Sequence, residues 1–99
     1  MMTNEKVLSV FKEYIASDAA CEVILTSRGY VVMEWETQAH EWSHVQHCET
    51  PEDLREALLN MYRSYRANIA VENSKDGELS DGILEVIENE SHILSEKCG

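Results

Sequence analysis

The stretch CEVILTSRGYVVMEWE, residues 21–36, sets the architecture of this chain. Residues 21–26 and 30–36 are rich in β-branched and aromatic side chains, which predicts two strands. Residues 27–29 between them form a tight turn, in which Gly29 is free to adopt a positive φ. The pattern therefore predicts an antiparallel hairpin.

Side-chain alternation predicts apolar residues on both faces of this hairpin. Val31, Met33 and Trp35 share one face of the second strand, while Tyr30 and Val32 lie on the other. A sheet with two apolar faces needs a cover on each of them. We therefore expect helices on both sides of the sheet.

Residues 37–48 allow two interpretations. We favour a turn at residues 37–40 and then a third strand from Trp42 to Cys48. Strict alternation would place three of its residues on each face: Trp42, His44 and Gln46 on one, and Ser43, Val45 and His47 on the other. The competing interpretation is a short helix.

Three flanking segments have the apolar spacing of amphipathic helices, namely residues 4–17, 51–71 and 81–97. Thr50 suits the N-cap of the second helix, and Pro51 suits its first helical position. The apolar residues that we expect the last helix to bury are Ile83, Leu84, Val86, Ile87, Ile93 and Leu94.

Length and composition are consistent with one folded unit. The chain has 99 residues, of which 43% are hydrophobic, so it is not a disordered acidic tail. We predict a single small acidic α+β domain over residues 1–99. It contains a three-stranded antiparallel sheet flanked by helices, in the order α-β-β-β-α-α.

The net charge excludes several classes of partner. Nineteen acidic residues against eight Lys and Arg leave a formal charge of −11. Such a chain is repelled by the phosphate backbone and by anionic membrane surfaces, so we expect no direct nucleic acid and no membrane as partners. The sequence shows no signal peptide and no apolar run of membrane-spanning length. We expect a cytoplasmic protein whose three cysteines are free thiols.

The sharpest motif match is His40-Glu41-Trp42-Ser43-His44, which has the H-E-x-x-H pattern of zinc metallopeptidases. In that motif, histidines four residues apart on one helix face bind zinc and the glutamate acts as general base. The motif needs a helix, whereas the surrounding residues favour a strand. A miniature zinc-dependent hydrolase that uses His40 and His44 is therefore an alternative, while the preferred interpretation has no catalytic residue, no metal and no cofactor.

Acidic residues are concentrated toward the end of the chain. Residues 72–99 hold eight of them against only Lys75 and Lys97. The preceding helix instead carries a basic stripe of Arg55, Arg63 and Arg66, which we expect to pair with the protein's own carboxylates. The residues that we predict to contact a partner are Asp76, Glu78, Asp81, Glu85, Glu88, Glu90 and Glu96.

Glu90 is unusual among these acidic residues. Helical projection places it within the apolar arc of the last helix, between Ile87 and Leu94. A carboxylate there is costly unless it is paired. We therefore expect either an arginine nearby or a contact surface at this end of the helix.

The size, the acidity and the order of helix, three strands and two helices resemble those of small acidic anti-CRISPR proteins of phages and mobile elements. The resemblance implies an inhibitor that presents carboxylates to a nucleic-acid-binding site, as members of that group do to Cas9. It transfers no individual residue to this chain. The leading hypothesis is a non-enzymatic acidic protein that blocks a basic surface, such as that of a nucleic-acid-binding effector. A homo-oligomeric structural protein that uses the Trp35 and Trp42 region as its interface is a further alternative.

Overall fold

The structure, a computed structural model, describes residues 1–99 and consists of four helices and one sheet. The elements in chain order are α1 (Asn4–Val10), α2 (Lys12–Ser17), β1 (Cys21–Thr26), β2 (Gly29–Glu36), β3 (Glu41–Cys48), α3 (Pro51–Asn73) and α4 (Asp81–Lys97). The strands pair antiparallel in the order β1-β2-β3. The predicted α+β fold and its element order are confirmed, with α1 and α2 in place of one first helix.

The division between α1 and α2 occurs at Phe11. This residue leaves helical geometry, with φ of −93° and ψ of 6°, and its side chain is fully buried. Hydrogen bonding still crosses the junction, because the Phe11 N–H donates to Val7 O and the Ile15 N–H donates to Phe11 O. The predicted apolar face of residues 4–17 therefore remains continuous.

The hairpin turn depends on Gly29. Its φ is +110°, a conformation that side chains with a Cβ rarely adopt. A Cβ at this position would also lie 2.7 Å from the Cys48 carbonyl oxygen on β3. Both the turn and the close approach of the third strand therefore require glycine here.

The third strand is confirmed over Glu41–Cys48, but its predicted alternation is wrong. Val32 pairs with Gln46 and Glu34 pairs with Ser43, so β3 has one more residue than β2 at this point. The extra residue is His44, whose φ is +51°. This β-bulge shifts the pattern by one residue. Ser43 and Gln46 consequently share the face of Val32, and Trp42 and His47 share the opposite face.

The hydrophobic core lies on one face of the sheet only. That face contributes Cys21, Val32 and Cys48, which pack against buried side chains of α1, α2 and α3. The helical members of the core are Val7, Phe11, Tyr14, Leu54, Ala57, Leu58 and Leu59, and Cys98 follows α4. All three cysteines are buried free thiols, and burial raises the pKa of Cys21 to about 11.

The expectation of helices on both faces of the sheet is wrong. The second face carries Ile24, Met33, Trp35, Trp42 and Val45, none of which belongs to the core. It remains uncovered because α4 packs mainly on α3 and not on the sheet. The helices therefore form successive layers on the same side.

The second long helix begins as predicted. Thr50 is its N-cap, Pro51 occupies the first turn, and Thr50 and Asp53 form a reciprocal capping box. These local hydrogen bonds satisfy backbone N–H groups that the helix leaves free.

The outermost helix, α4, buries less than predicted. Ile87 is buried and Ile83 and Leu94 are half-buried, but Leu84, Val86 and Ile93 are 43%, 50% and 52% exposed, respectively. The reason is that α4 has a single neighbouring layer, so only one narrow stripe of the helix is covered. None of the helices combines the length and the apolar character that crossing a bilayer requires.

Candidate functional site

The predicted acidic residues divide into two groups according to their neighbours. The first group has no Lys, Arg or His within 4 Å and includes Asp76, Glu78, Asp81 and Glu85. All four side chains are exposed. Glu72, at the end of α3, shares both properties. We call residues 72–85 the acidic segment.

The acidic segment contains the end of α3 and the start of α4, which place its carboxylates in different electrostatic surroundings. Ser80 caps α4 by accepting a hydrogen bond from the Ile83 N–H, which places Asp81 in the first turn. Glu72 instead lies in the last turn of α3, where no basic residue is present. A carboxylate at a helix C-terminus meets the negative end of the helix dipole, which is unfavourable.

Asp76 has local hydrogen bonds that favour its charged form. Its Oδ1 accepts from the Ser74 hydroxyl at 2.6 Å and from the Glu78 N–H at 3.3 Å. The Ser74 hydrogen bond, followed by that of the Glu78 backbone, lowers the pKa of Asp76 below its ordinary value. The loop therefore holds this carboxylate in a defined position with its charge retained.

The second group of predicted acidic residues pairs within the chain. Glu90 Oε2 accepts hydrogen bonds from Arg66 Nη1 at 2.6 Å and from the Tyr62 hydroxyl at 2.5 Å. Burial, reinforced by the Glu90 carboxylate, raises the pKa of Tyr62. The expected arginine partner of Glu90 is thus Arg66.

Glu88 and Glu96 each have a basic side chain nearby, an arginine and a histidine respectively. Arg63 Nε lies 3.1 Å from Glu88 Oε1, without the alignment of a hydrogen bond. His92 Nε2 lies 3.0 Å from Glu96 Oε1, one helical turn away. An exposed ion pair such as Arg63–Glu88 contributes at most about 1 kcal/mol, but it reduces the negative charge available to a partner. Arg63 and Arg66 of the basic stripe on α3 therefore neutralise Glu88 and Glu90 in the middle of α4. The carboxylates of the acidic segment have no such partner.

Exposed apolar side chains accompany the unpaired carboxylates. Leu84 and Val86 flank Glu85 and are about half exposed. Protein interfaces commonly combine an apolar centre with a polar rim. The start of α4 therefore offers both charge and apolar contact to a partner.

A groove between α2, α3 and α4 was not predicted from the sequence. It has a volume of about 580 Å³, and its walls include Tyr14, Tyr62, Tyr65, Arg66 and Ile93. The Tyr14 and Tyr62 rings meet edge to face with their centroids 5.5 Å apart. The signal in the sequence was Tyr62 and Tyr65 at i, i+3 spacing, which helical periodicity alone assigns to the core.

The H-E-x-x-H residues do not lie on a helix. His40 is in the turn before β3, and Glu41 to His44 are in the strand. The His40 ring packs near Trp35 with centroids 6.3 Å apart, whereas His44 Nδ1 lies 3.0 Å from Glu34 Oε2. Because Glu34 and Trp35 are consecutive in β2, they point to opposite faces of the sheet. His40 and His44 therefore do not share one face of a helix, which is the placement that the H-E-x-x-H motif uses.

Comparison of the chain with protein-family models, with curated proteins and with solved structures found no match.

Proposed function

We propose that this chain is a non-enzymatic acidic interaction protein that blocks a basic nucleic-acid-binding surface on its target. The observation that carries the proposal is the acidic segment, where five carboxylates within residues 72–85 have no basic partner and Lys75 is the one basic residue. Elsewhere on α4, Arg63 and Arg66 of α3 already pair with Glu88 and Glu90. Within the C-terminal part of the chain, a basic partner would therefore meet unpaired charge mainly at the junction of α3 and α4.

Electrostatic attraction alone would give such a complex a high association rate and selectivity for basic partners. Charges at an interface steer association and exclude wrong partners, but tight binding generally needs buried apolar anchors. Leu84 and Val86 precede and follow Glu85 in α4 and supply exposed apolar surface on the two sides of that carboxylate. Glu72 adds a further reason for binding, because a cation beside it would relieve its unfavourable position at the end of α3.

The resemblance in size, charge and element order to small anti-CRISPR proteins supports an inhibitor from a phage or mobile element. In that role the carboxylates of the acidic segment would occupy positions on the target that nucleic-acid phosphates otherwise take. The inhibitor and the nucleic acid would then compete for one surface. Binding would weaken as salt rises, because both charged surfaces are exposed.

The test uses charge reversal within the acidic segment. Asp81→Lys together with Glu85→Lys should abolish capture of the partner from native cytosol at low salt, while the wild-type chain captures a protein whose nucleic-acid binding it then displaces. The matched control is Glu5→Lys with Glu22→Lys, because Glu5 is also in the first turn of a helix and Glu22 is also exposed and unpaired. The control makes the same change in net charge at a distance from the segment.

Two results would count against the proposal. One is equal capture by the two double variants, since net charge rather than the segment would then be responsible. The other is a captured partner that keeps its nucleic acid when the wild-type chain is added in excess.

A second candidate function, a homo-oligomeric structural protein, is favoured by the uncovered face of the sheet. Trp35 and Trp42 are cross-strand partners with ring centroids 5.0 Å apart, and Trp42 is 44% exposed. A contiguous apolar sheet face is typical of an interface. Light scattering coupled to size exclusion should then show a dimer that Trp42→Ala converts to a monomer; a monomeric wild type at high protein concentration would remove this candidate.

A further inference from the structure

The bulge in β3 brings together side chains that neither the proposed function nor the H-E-x-x-H motif uses. His44 is the extra residue, and its imidazole turns toward the face that carries Glu34 and Glu36. Its Nδ1 lies 3.0 Å from Glu34 Oε2. One ligand atom from each of the three residues lies within 4.8 Å of the others.

We propose that Glu34, Glu36 and His44 form a binding site for a divalent transition-metal ion, with Zn²⁺ as the occupant. Two carboxylates and an imidazole are a donor set that zinc accepts. In a tetrahedral site with bonds of about 2.1 Å, ligand atoms lie about 3.4 Å apart. Small side-chain rotations would reach that spacing, because Glu36 and His44 are exposed and free to move.

The charge around the triad favours a cation. Glu41 is the cross-strand partner of Glu36, so a third carboxylate faces the same side of the sheet. No Lys or Arg lies within 4 Å of any of the three carboxylates, and His44 is the one basic group that contacts them. Like charges placed opposite each other destabilise a sheet, and a divalent ion would reverse the sign of that contribution.

The hydrogen bonding of the triad also suits a ligand role. The Ser43 hydroxyl donates a hydrogen bond to Glu36 Oε1 at 2.8 Å, which leaves Glu36 Oε2 free to bind the ion. Groups that hold metal ligands in position from the outer shell strengthen metal sites. Three protein ligands leave the fourth position of zinc to water, so the site would be open to solvent.

Metal binding to the purified, chelator-treated chain tests the proposal. Titration with Zn²⁺ should give one bound ion per chain, and Co²⁺ should give visible absorption bands on binding to the same site. His44→Ala and Glu36→Gln should each weaken Zn²⁺ binding at least about 10-fold, which is the lower limit seen for loss of an outer-shell group. Far-UV circular dichroism checks that both variants fold, and Glu34→Gln provides a third variant.

The controls are two histidines outside the triad. His40→Ala removes the other histidine of the H-E-x-x-H pattern, and His92→Ala removes an exposed histidine that already pairs with a carboxylate on α4. Both variants should bind Zn²⁺ as the wild type does. Absence of stoichiometric binding, binding that survives His44→Ala, or an equal loss with His40→Ala would overturn the assignment.

Discussion

The pairing of Glu90 with α3 makes a quantitative prediction about stability. Glu90→Gln keeps the shape of the side chain but removes the charge that meets Arg66 at 2.6 Å and Tyr62 at 2.5 Å. The glutamine oxygen can still accept hydrogen bonds. The variant therefore measures what the charge contributes to holding α4 against α3.

The expected loss follows from the geometry and the exposure of the pair. Hydrogen bonds to charged groups contribute about 1.5–3 kcal/mol. The Arg66 and Glu90 side chains are each 36% exposed, so solvent screens part of that value. After this discount, and because glutamine retains neutral hydrogen bonds, we expect destabilisation of about 1–1.5 kcal/mol. For a domain of this size that lowers Tm by roughly 4–12 °C.

Relief of the net charge acts in the opposite direction. Removing one negative charge from a chain of −11 reduces self-repulsion, which stabilises the folded state slightly. Glu85→Gln is the matched control, because Glu85 is on the same helix and has no basic partner. It should therefore be neutral or slightly stabilising, within about 0.5 kcal/mol of the wild type.

Urea unfolding followed by far-UV circular dichroism measures both variants. A double-mutant cycle of Glu90→Gln with Arg66→Met should give a coupling energy of about 0.5–1.5 kcal/mol. The reasoning is refuted if Glu90→Gln is as stable as Glu85→Gln, or if the two substitutions in the cycle are simply additive. Either result would mean that apolar contacts alone position α4.

Three further predictions concern other elements of the fold. Thr50→Ala removes the acceptor for the Asp53 N–H and should cost about 1 kcal/mol in urea unfolding, whereas an unchanged midpoint would show that the capping box is not needed. Gly29→Ala should destabilise by more than about 1 kcal/mol in the same assay, because φ is +110° and the new Cβ would meet the Cys48 carbonyl; wild-type stability would contradict the geometry. Because the pKa of Cys21 is raised to about 11 from 9.0, its contribution to stability is present below pH 9 and is lost as pH rises from 9 to 11. Unfolding measured across that range should show a decline that is smaller in Cys21→Ala, and an equal decline in both proteins would contradict the assignment.

Local patterns in the sequence were sufficient to predict most of the secondary structure. Alternating β-branched and aromatic residues mark β1 and β2, and Thr50 with Pro51 marks the start of α3. Each of these signals depends on residues that are close to it in sequence, so it predicts its element without knowledge of the tertiary contacts. The break at Phe11 was not predicted, because the apolar spacing of residues 4–17 is the same with or without it.

The bulge at His44 shows where periodicity fails. Strict alternation placed His44 with Trp42, whereas the structure turns its imidazole toward Glu34. The extra residue shifts the pairing of the two strands by one position, so that Val32 pairs with Gln46 and Glu34 pairs with Ser43. No pattern within β3 itself specifies that register, so the cluster of Glu34, Glu36 and His44 could not be predicted from spacing.

For the acidic residues, the net charge was predictable from composition, but the ion pairs were not. Composition was enough to establish a chain of net charge −11 with its carboxylates concentrated after residue 71, since charge depends on residue identity alone. Which of those carboxylates remain unpaired depends on α4 lying along α3, so that Arg66 reaches Glu90 across 24 positions of the chain and Tyr62 reaches it across 28. The same layering leaves one face of the sheet uncovered. Pairing and burial depend on where separate elements pack, and only the tertiary structure brings those elements together.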